Sequence, residues 1–125
     1  MSKVFDYESS LKRMGNDPAL FLEMVELLRA DAPALLDLLR QALLSGDNQT
    51  TLRAAHTLKG LASNFGAERA TAAACEVEQL AKRQPNAEIV AATQRLTQSF
   101  TELIAALPDP PTSPQDVSPS VRSRK

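Results

Sequence analysis

Ile89, Thr93, Leu96, Phe100, Leu103 and Leu107 follow one another at alternating spacings of four and three. That repeat puts all six on one face of an α-helix but on both faces of a strand, so this stretch cannot be a half-buried strand. It predicts a helix over about Ala87–Leu107 with a single buried stripe, the pattern of a helix in a bundle. The same reading extends back along the chain. Asp6 can cap a short helix over Tyr7–Met14, with Gly15 as its left-handed stop. Asp17-Pro18 is an N-cap followed by proline at the first helical position, and Phe21, Met24, Leu28, Leu35, Leu39 and Ala42 carry that helix to Gly46. Pro33 lies inside it, so a kink or short break is expected near Ala30–Ala32. Asp47 or Asn48 opens a third segment that runs to Phe65 and stops at Gly66. A fourth spans about Ala67–Arg83, with Ala70, Ala73, Val77, Leu80 and Ala81 on one side. Pro85-Asn86 then breaks the chain.

Composition supports the helices. Ala and Leu supply 37 of the 125 residues, and both enter a helix at little cost, while aromatic residues make up only 4%. An all-β fold is ruled out. Four long amphipathic segments joined by short turns make an all-α, antiparallel four-helix bundle with a short extra N-terminal helix laid across it. The alanines of the fourth segment (Ala67, Ala70, Ala72, Ala73, Ala74) let neighbouring backbones approach closely. Five of the eight prolines lie between Pro108 and Pro119 with little apolar material after them. Residues 108–125 are therefore expected to be a disordered Pro/Ser-rich tail on a folded domain of residues 1–107.

Several functional classes drop out. Lys and Arg number 14 against 15 Asp and Glu, with no basic stripe before the last four residues, which argues against a general nucleic-acid binder. The longest unbroken apolar run, Leu103–Leu107, is far short of the roughly 20 residues a membrane helix needs. The N-terminus has no apolar signal core, so the chain reads as cytoplasmic, and Asn48-Gln49-Thr50 is a chance glycosylation pattern. Cys75 is the only cysteine and His56 the only histidine, too few for an internal disulfide or a zinc site.

On a helical wheel Ala55, Leu58, Ala62 and Phe65 fall within roughly 80° of each other and define the buried side of the third helix. His56 lies about 100° or more from each, with Lys59, Gly60 and Ser63 within roughly 60° of it. Glycine inside a helix costs about 1 kcal/mol relative to alanine. Gly60 either clears space beside the imidazole or allows a close bundle contact. Ser63 is two turns from His56, too far for a hydrolytic pair, and a convex helix face supplies no acid–base pocket. Two readings remain for His56 on residue types alone: an ordinary surface histidine, or a nucleophile that takes a phosphoryl group on a ring nitrogen with Lys59 offsetting its charge.

His56-Thr57-Leu58-Lys59-Gly60, followed by Phe65-Gly66-Ala67, resembles the signature of the histidine phosphotransfer (HPt) domains of multistep two-component relays. It is also similar to the phosphotransfer domain of chemotaxis histidine kinases. Asp17-Pro18-Ala19-Leu20 through Leu43-Leu44-Ser45-Gly46-Asp47 resembles the family's first bundle helix and turn, so the likeness spans about residues 6–107. It implies that His56 is phosphorylated, that Lys59 attends the phosphoryl group and that Gly60 keeps room for the partner. Some members hold the imidazole with an acidic residue on the next helix. Glu78, following Val77, stands in that place, on the side of its helix shared with Thr71, Cys75 and Lys82.

The implied function is a phosphorelay carrier. A sensor histidine kinase or a receiver phosphoaspartate would load His56, which would pass the group to an aspartate of another response-regulator receiver domain. The chain has no glycine-rich nucleotide loop, so it is expected to be a carrier and not an enzyme, with no cofactor or metal of its own and Mg²⁺ supplied by the receiver. Leu52, Gly60 and Ser63 are the expected docking residues, in a transient contact made by a monomer. The Met1 start and the Pro/Ser tail lean towards a free-standing protein. The rival is a pure docking module that blocks a receiver without being phosphorylated, for which intact His56, Lys59 and Gly60 would be unnecessary.

Overall fold

The computed structural model describes residues 4–83 and 87–108. Five helices follow in order: α1 (Tyr7–Arg13), α2 (Pro18–Ser45), α3 (Asn48–Ser63), α4 (Glu68–Lys82) and α5 (Ala87–Ala106). Among the described residues there is no strand. Helices α2 to α5 pack in a ring in which each touches its sequence neighbours and α5 closes back on α2, an up-and-down four-helix bundle. The Pro85-Asn86 break and the tail beyond residue 108 lie outside the described residues.

Local chemistry sets the helix ends. The Asp6 carboxylate accepts from the Ser9 N–H, that of Asp17 from Ala19 and Leu20, and that of Asp47 from Thr50. Each satisfies amides that the first turn leaves without a partner. Gly15, Gly46 and Gly66 all have positive φ and end α1, α2 and the turn after α3. In α5 the stripe Ile89, Thr93, Leu96, Phe100, Leu103 and Leu107 is buried throughout, as is the α4 set Ala70, Ala73, Val77, Leu80 and Ala81. Of the α4 alanines, Ala72 faces solvent while Ala67, Ala70, Ala73 and Ala74 are buried.

Two details of α2 differ from the sequence reading. The helix runs unbroken from Pro18 to Ser45 through Pro33. Leu28, Ala32, Leu36 and Leu39 are buried on either side of the proline, whose ring lies on the exposed face. Continuous burial therefore outweighs one missing backbone hydrogen bond. The stripe also rotates slightly: Val25, Ala32 and Leu36 enter the core, and Met24 and Leu35 are half-buried at its edge.

Helix α1 is tied to the α3–α4 turn. The Asp6 N–H donates to the Phe65 carbonyl at 2.8 Å, and the rings of Tyr7, Phe21 and Phe65 meet edge to face in sequence. A Cβ on Gly66 would come within 2.9 Å of the Asp6 Cβ, and Gly66 has φ +60°, so only glycine fits this crossing without strain. Arg13, at the end of α1, donates from Nη1 to the Ser63 carbonyl in the last turn of α3. The end of α3 is thereby braced from outside the bundle.

Candidate functional site

Helix α3 turns Ala54, Ala55, Leu58 and Ala62 into the core, which leaves His56 on the opposite side. The His56 side chain is 69% exposed, that of Lys59 31% and that of Glu78 only 7%. Glu78 lies on α4 directly after buried Val77 and reaches across to α3. Its Oε2 is 2.9 Å from His56 Nδ1, and its Oε1 accepts from Lys59 Nζ at 2.7 Å. One buried carboxylate thus binds the imidazole and the ammonium together. It is not an ordinary solvated surface residue.

The charges follow from this geometry. The hydrogen bond from Lys59 is the main reason the Glu78 carboxyl is held below its ordinary range; burial works against it and the bond to His56 adds to it. The same contact with Glu78 pushes the Lys59 ammonium above its ordinary value. An ionised carboxylate can only accept, so the ring nitrogen facing it must carry the proton. In the neutral ring this is the Nδ1–H tautomer, which leaves the lone pair on Nε2. Among the described residues, no group forms a hydrogen bond with Nε2, and it points to solvent with the ring.

Gly60 sits one turn beyond His56, and a Cβ there would meet nothing within 4 Å. It serves no close contact inside the bundle, so the packing explanation for this glycine fails. Ser63 is half-buried and its Oγ donates to the Gly60 carbonyl at 3.0 Å, which occupies the hydroxyl locally and keeps it from His56. Leu52, one turn before His56, is half-buried on the same exposed side. Thr71 and Cys75 line a shallow concavity with Lys59, Ser63 and Arg13, whereas Lys82 stands outside it. Cys75 is a half-buried free thiol. Among the described residues, no group of three or more His, Cys, Asp or Glu side chains could hold a metal ion, and no helix is long and apolar enough to cross a membrane.

Arginine was the residue type that sequence reading overlooked. Arg53 precedes His56 by one turn and could have been seen on the wheel; Arg13 reaches the site only because α1 folds across the end of α3.

A lone exposed imidazole, oriented through Nδ1 by a carboxylate on the neighbouring helix of a four-helix bundle, is a nucleophilic ring held on the surface of an all-helical domain. Residues 23–108 match the family described as the Hpt domain, and the chain belongs to that family. It is a histidine phosphotransfer protein of phosphorelays, a class of carriers whose counterparts are receiver domains and histidine kinases. Among solved structures it is similar to histidine-containing phosphotransfer protein B from Pseudomonas aeruginosa PAO1, at 22% identity and a TM-score of 0.76, covering 84% of this chain and 91% of that one. It is also similar to the HPT domain of the Hpt sensor hybrid histidine kinase from Shewanella, at 24% identity and a TM-score of 0.73, covering 82% and 89%. At these identities the likeness speaks for the shared fold. The comparison with curated proteins gives no match.

Proposed function

We propose that His56 Nε2 is the atom that carries the phosphoryl group. The observation that supports this best is the Glu78 carboxylate on Nδ1, because it leaves the lone pair on the solvent-facing nitrogen. Nε2 attacks the phosphorus of a receiver's aspartyl phosphate; the new N–P bond forms as the P–O bond to the aspartate breaks, and the carboxylate leaves with the bonding pair. The ring gains positive charge in this step, and Glu78, one hydrogen bond away, stabilises it while Nδ1 keeps its proton. The return step runs the same sequence towards a second aspartate. Magnesium belongs to the receiver, and nothing in the step draws on a metal held by this chain.

In this reading Lys59 has two tasks. It holds Glu78 ionised, and its ammonium, about a third exposed and held by the same carboxylate that binds the ring, offsets the incoming phosphate charge. Gly60 leaves the approach to Nε2 open, and Leu52 and Ser63 contribute to the docking surface beside it. The protein acts as a monomeric carrier in the cytoplasm, with residues 1–107 as the working domain.

Nitrogen-15 NMR of the imidazole tests the assignment. Before phosphorylation Nδ1 should carry the proton, and after treatment with phosphoramidate the N–P bond should be at Nε2. Phosphorylation at Nδ1, or a ring protonated on Nε2 in the free protein, would contradict it.

A further inference from the structure

Helix α3 carries Arg53, His56 and Lys59 but no aspartate or glutamate, in a chain with 15 acidic residues. Two shallow grooves flank the ridge that bears His56. The one between α2 and α3 is lined by Leu35, Leu38, Arg53 and Thr57, among others. The concavity on the α4 side is lined by Arg13, Lys59, Thr71 and Cys75. Each flank therefore holds one arginine.

Three of the other described arginines are held by carboxylates, whereas Arg83 at the end of α4, like Arg13 and Arg53, forms no ion pair among the described residues. Arg40 pairs with Asp37, Arg69 with Glu102, and Arg95 with Glu76, while Lys59 is paired with Glu78. Arg29 donates to the carbonyls of Ile104 and Leu107 at the end of α5. Arg13 donates to a backbone carbonyl, and Arg53 is near enough to Asp47 to help lower its carboxyl. Neither Arg13 nor Arg53 forms an ion pair among the described residues, although Glu68 lines the Arg13 concavity. Two guanidinium groups that form no ion pair among the described residues thus stand on either side of His56, in a chain whose net charge is −1.

We propose that Arg13 and Arg53 are docking cations that straddle His56 and bind acidic groups of the receiver domain around its phosphoaspartate. The inference rests on His56 being the carrier. An aspartyl phosphate brings close to two negative charges to the ridge, and the aspartate that later accepts the group is anionic as well. Cations at the rim of such a contact speed encounter and fix orientation, and their effect is screened by salt. Guanidinium groups also suit carboxylate and phosphate oxygens through paired N–H donors. Neither arginine takes part in the bond-making step.

The test uses Arg13→Gln and Arg53→Gln, singly and together, with two phosphoryl donors. One is a phosphorylated receiver domain that labels the wild type; the other is phosphoramidate, which needs no docking surface. With the receiver, each substitution should raise the apparent KM about 3- to 10-fold at low ionic strength, leave the maximal rate unchanged, and flatten the dependence of transfer on salt. Arg53→Lys should keep most of the salt dependence. Phosphoramidate labelling should stay within about twofold of wild type, since a small donor samples no rim charge. Unchanged KM and salt dependence with the receiver would overturn the proposal. So would equal losses with both donors, which would mean that the arginines act only on the fold. Labelling of His56→Gln by the phosphorylated receiver would instead refute His56 as the carrier, and this inference with it.

Discussion

Gly60 offers a test in which stability and function should move in opposite directions. It lies in the middle of α3, one turn past His56, and a Cβ built on it meets no atom within 4 Å. Gly60→Ala therefore adds a methyl group to open space and removes the backbone entropy cost of a helical glycine. The gain should be about 1 kcal/mol, the usual Gly-to-Ala difference inside a helix. For a domain of this size that raises Tm by about 4–8 °C. Gly60→Gln should also be at least as stable as wild type, because glutamine is the better helix former. Its longer side chain, however, projects from the same ridge as the His56 ring. Transfer from a phosphorylated receiver should slow by about one to two orders of magnitude, as expected when reacting groups are held even about 1 Å from their working distance. Phosphoramidate labelling should fall far less. Thermal unfolding followed by circular dichroism gives the first quantity, and rapid-quench transfer with the two donors gives the second. A lower Tm for Gly60→Ala would show that the face is not open. Unchanged receiver transfer in folded Gly60→Gln would show that the missing side chain clears nothing.

The clamp on the imidazole makes further predictions. Glu78→Gln replaces an acceptor-only group by an amide; if its carbonyl stays on Lys59, its N–H₂ faces Nδ1 and favours the tautomer protonated on Nε2. Transfer should fall about 10- to 100-fold, less than the roughly 10⁴ lost by a buried catalytic histidine in the wrong tautomer, because this ring is free to turn in solvent. Because the Glu78 carboxyl is lowered in the folded state, its contribution to stability is present above the ordinary value of 4.5 and fades as pH falls through the lower folded value. Urea unfolding of Glu78→Gln across that acidic range should therefore show a shallower loss of stability than wild type. Lys59→Ala removes the main cause of that lowering, so the acid limb of the transfer–pH profile should move to higher pH, with transfer reduced but not abolished. Gly66→Ala meets both the positive φ and the Asp6 contact, and should cost roughly 1–3 kcal/mol, read as a drop in Tm.

Much of this architecture is visible in local sequence because it is decided locally. Asp17-Pro18, Gly46, Asp47 and Gly66 mark helix ends through the side-chain caps and positive φ angles they supply, and the α5 stripe needs only the helical period. What depends on contacts between elements is harder to read. Pro33 looks like a break until the burial of Ala32 and Leu36 is known, and the exchange of Met24 and Leu35 for Val25 and Leu36 follows from where α3 and α5 press on α2. At the site, the wheel of α3 alone sets His56 opposite the core with Lys59 and Gly60 beside it. Glu78 could be picked out only through the family resemblance, since its partners are on another helix. Arg13 was invisible because no periodicity describes α1 crossing the end of α3.

The most direct test of the central claim compares the wild type with His56→Gln. The side chain is 69% exposed, so the substitution should change stability by no more than about 0.5 kcal/mol. It leaves no imidazole in the chain, because His56 is the only one. Both proteins are incubated with a radiolabelled phospho-receiver and then treated with acid and with base. The account predicts label on the wild type alone, lost in acid and retained in base, as for a phosphorus–nitrogen bond. Equal labelling of both proteins, or acid-stable label on either, would contradict it.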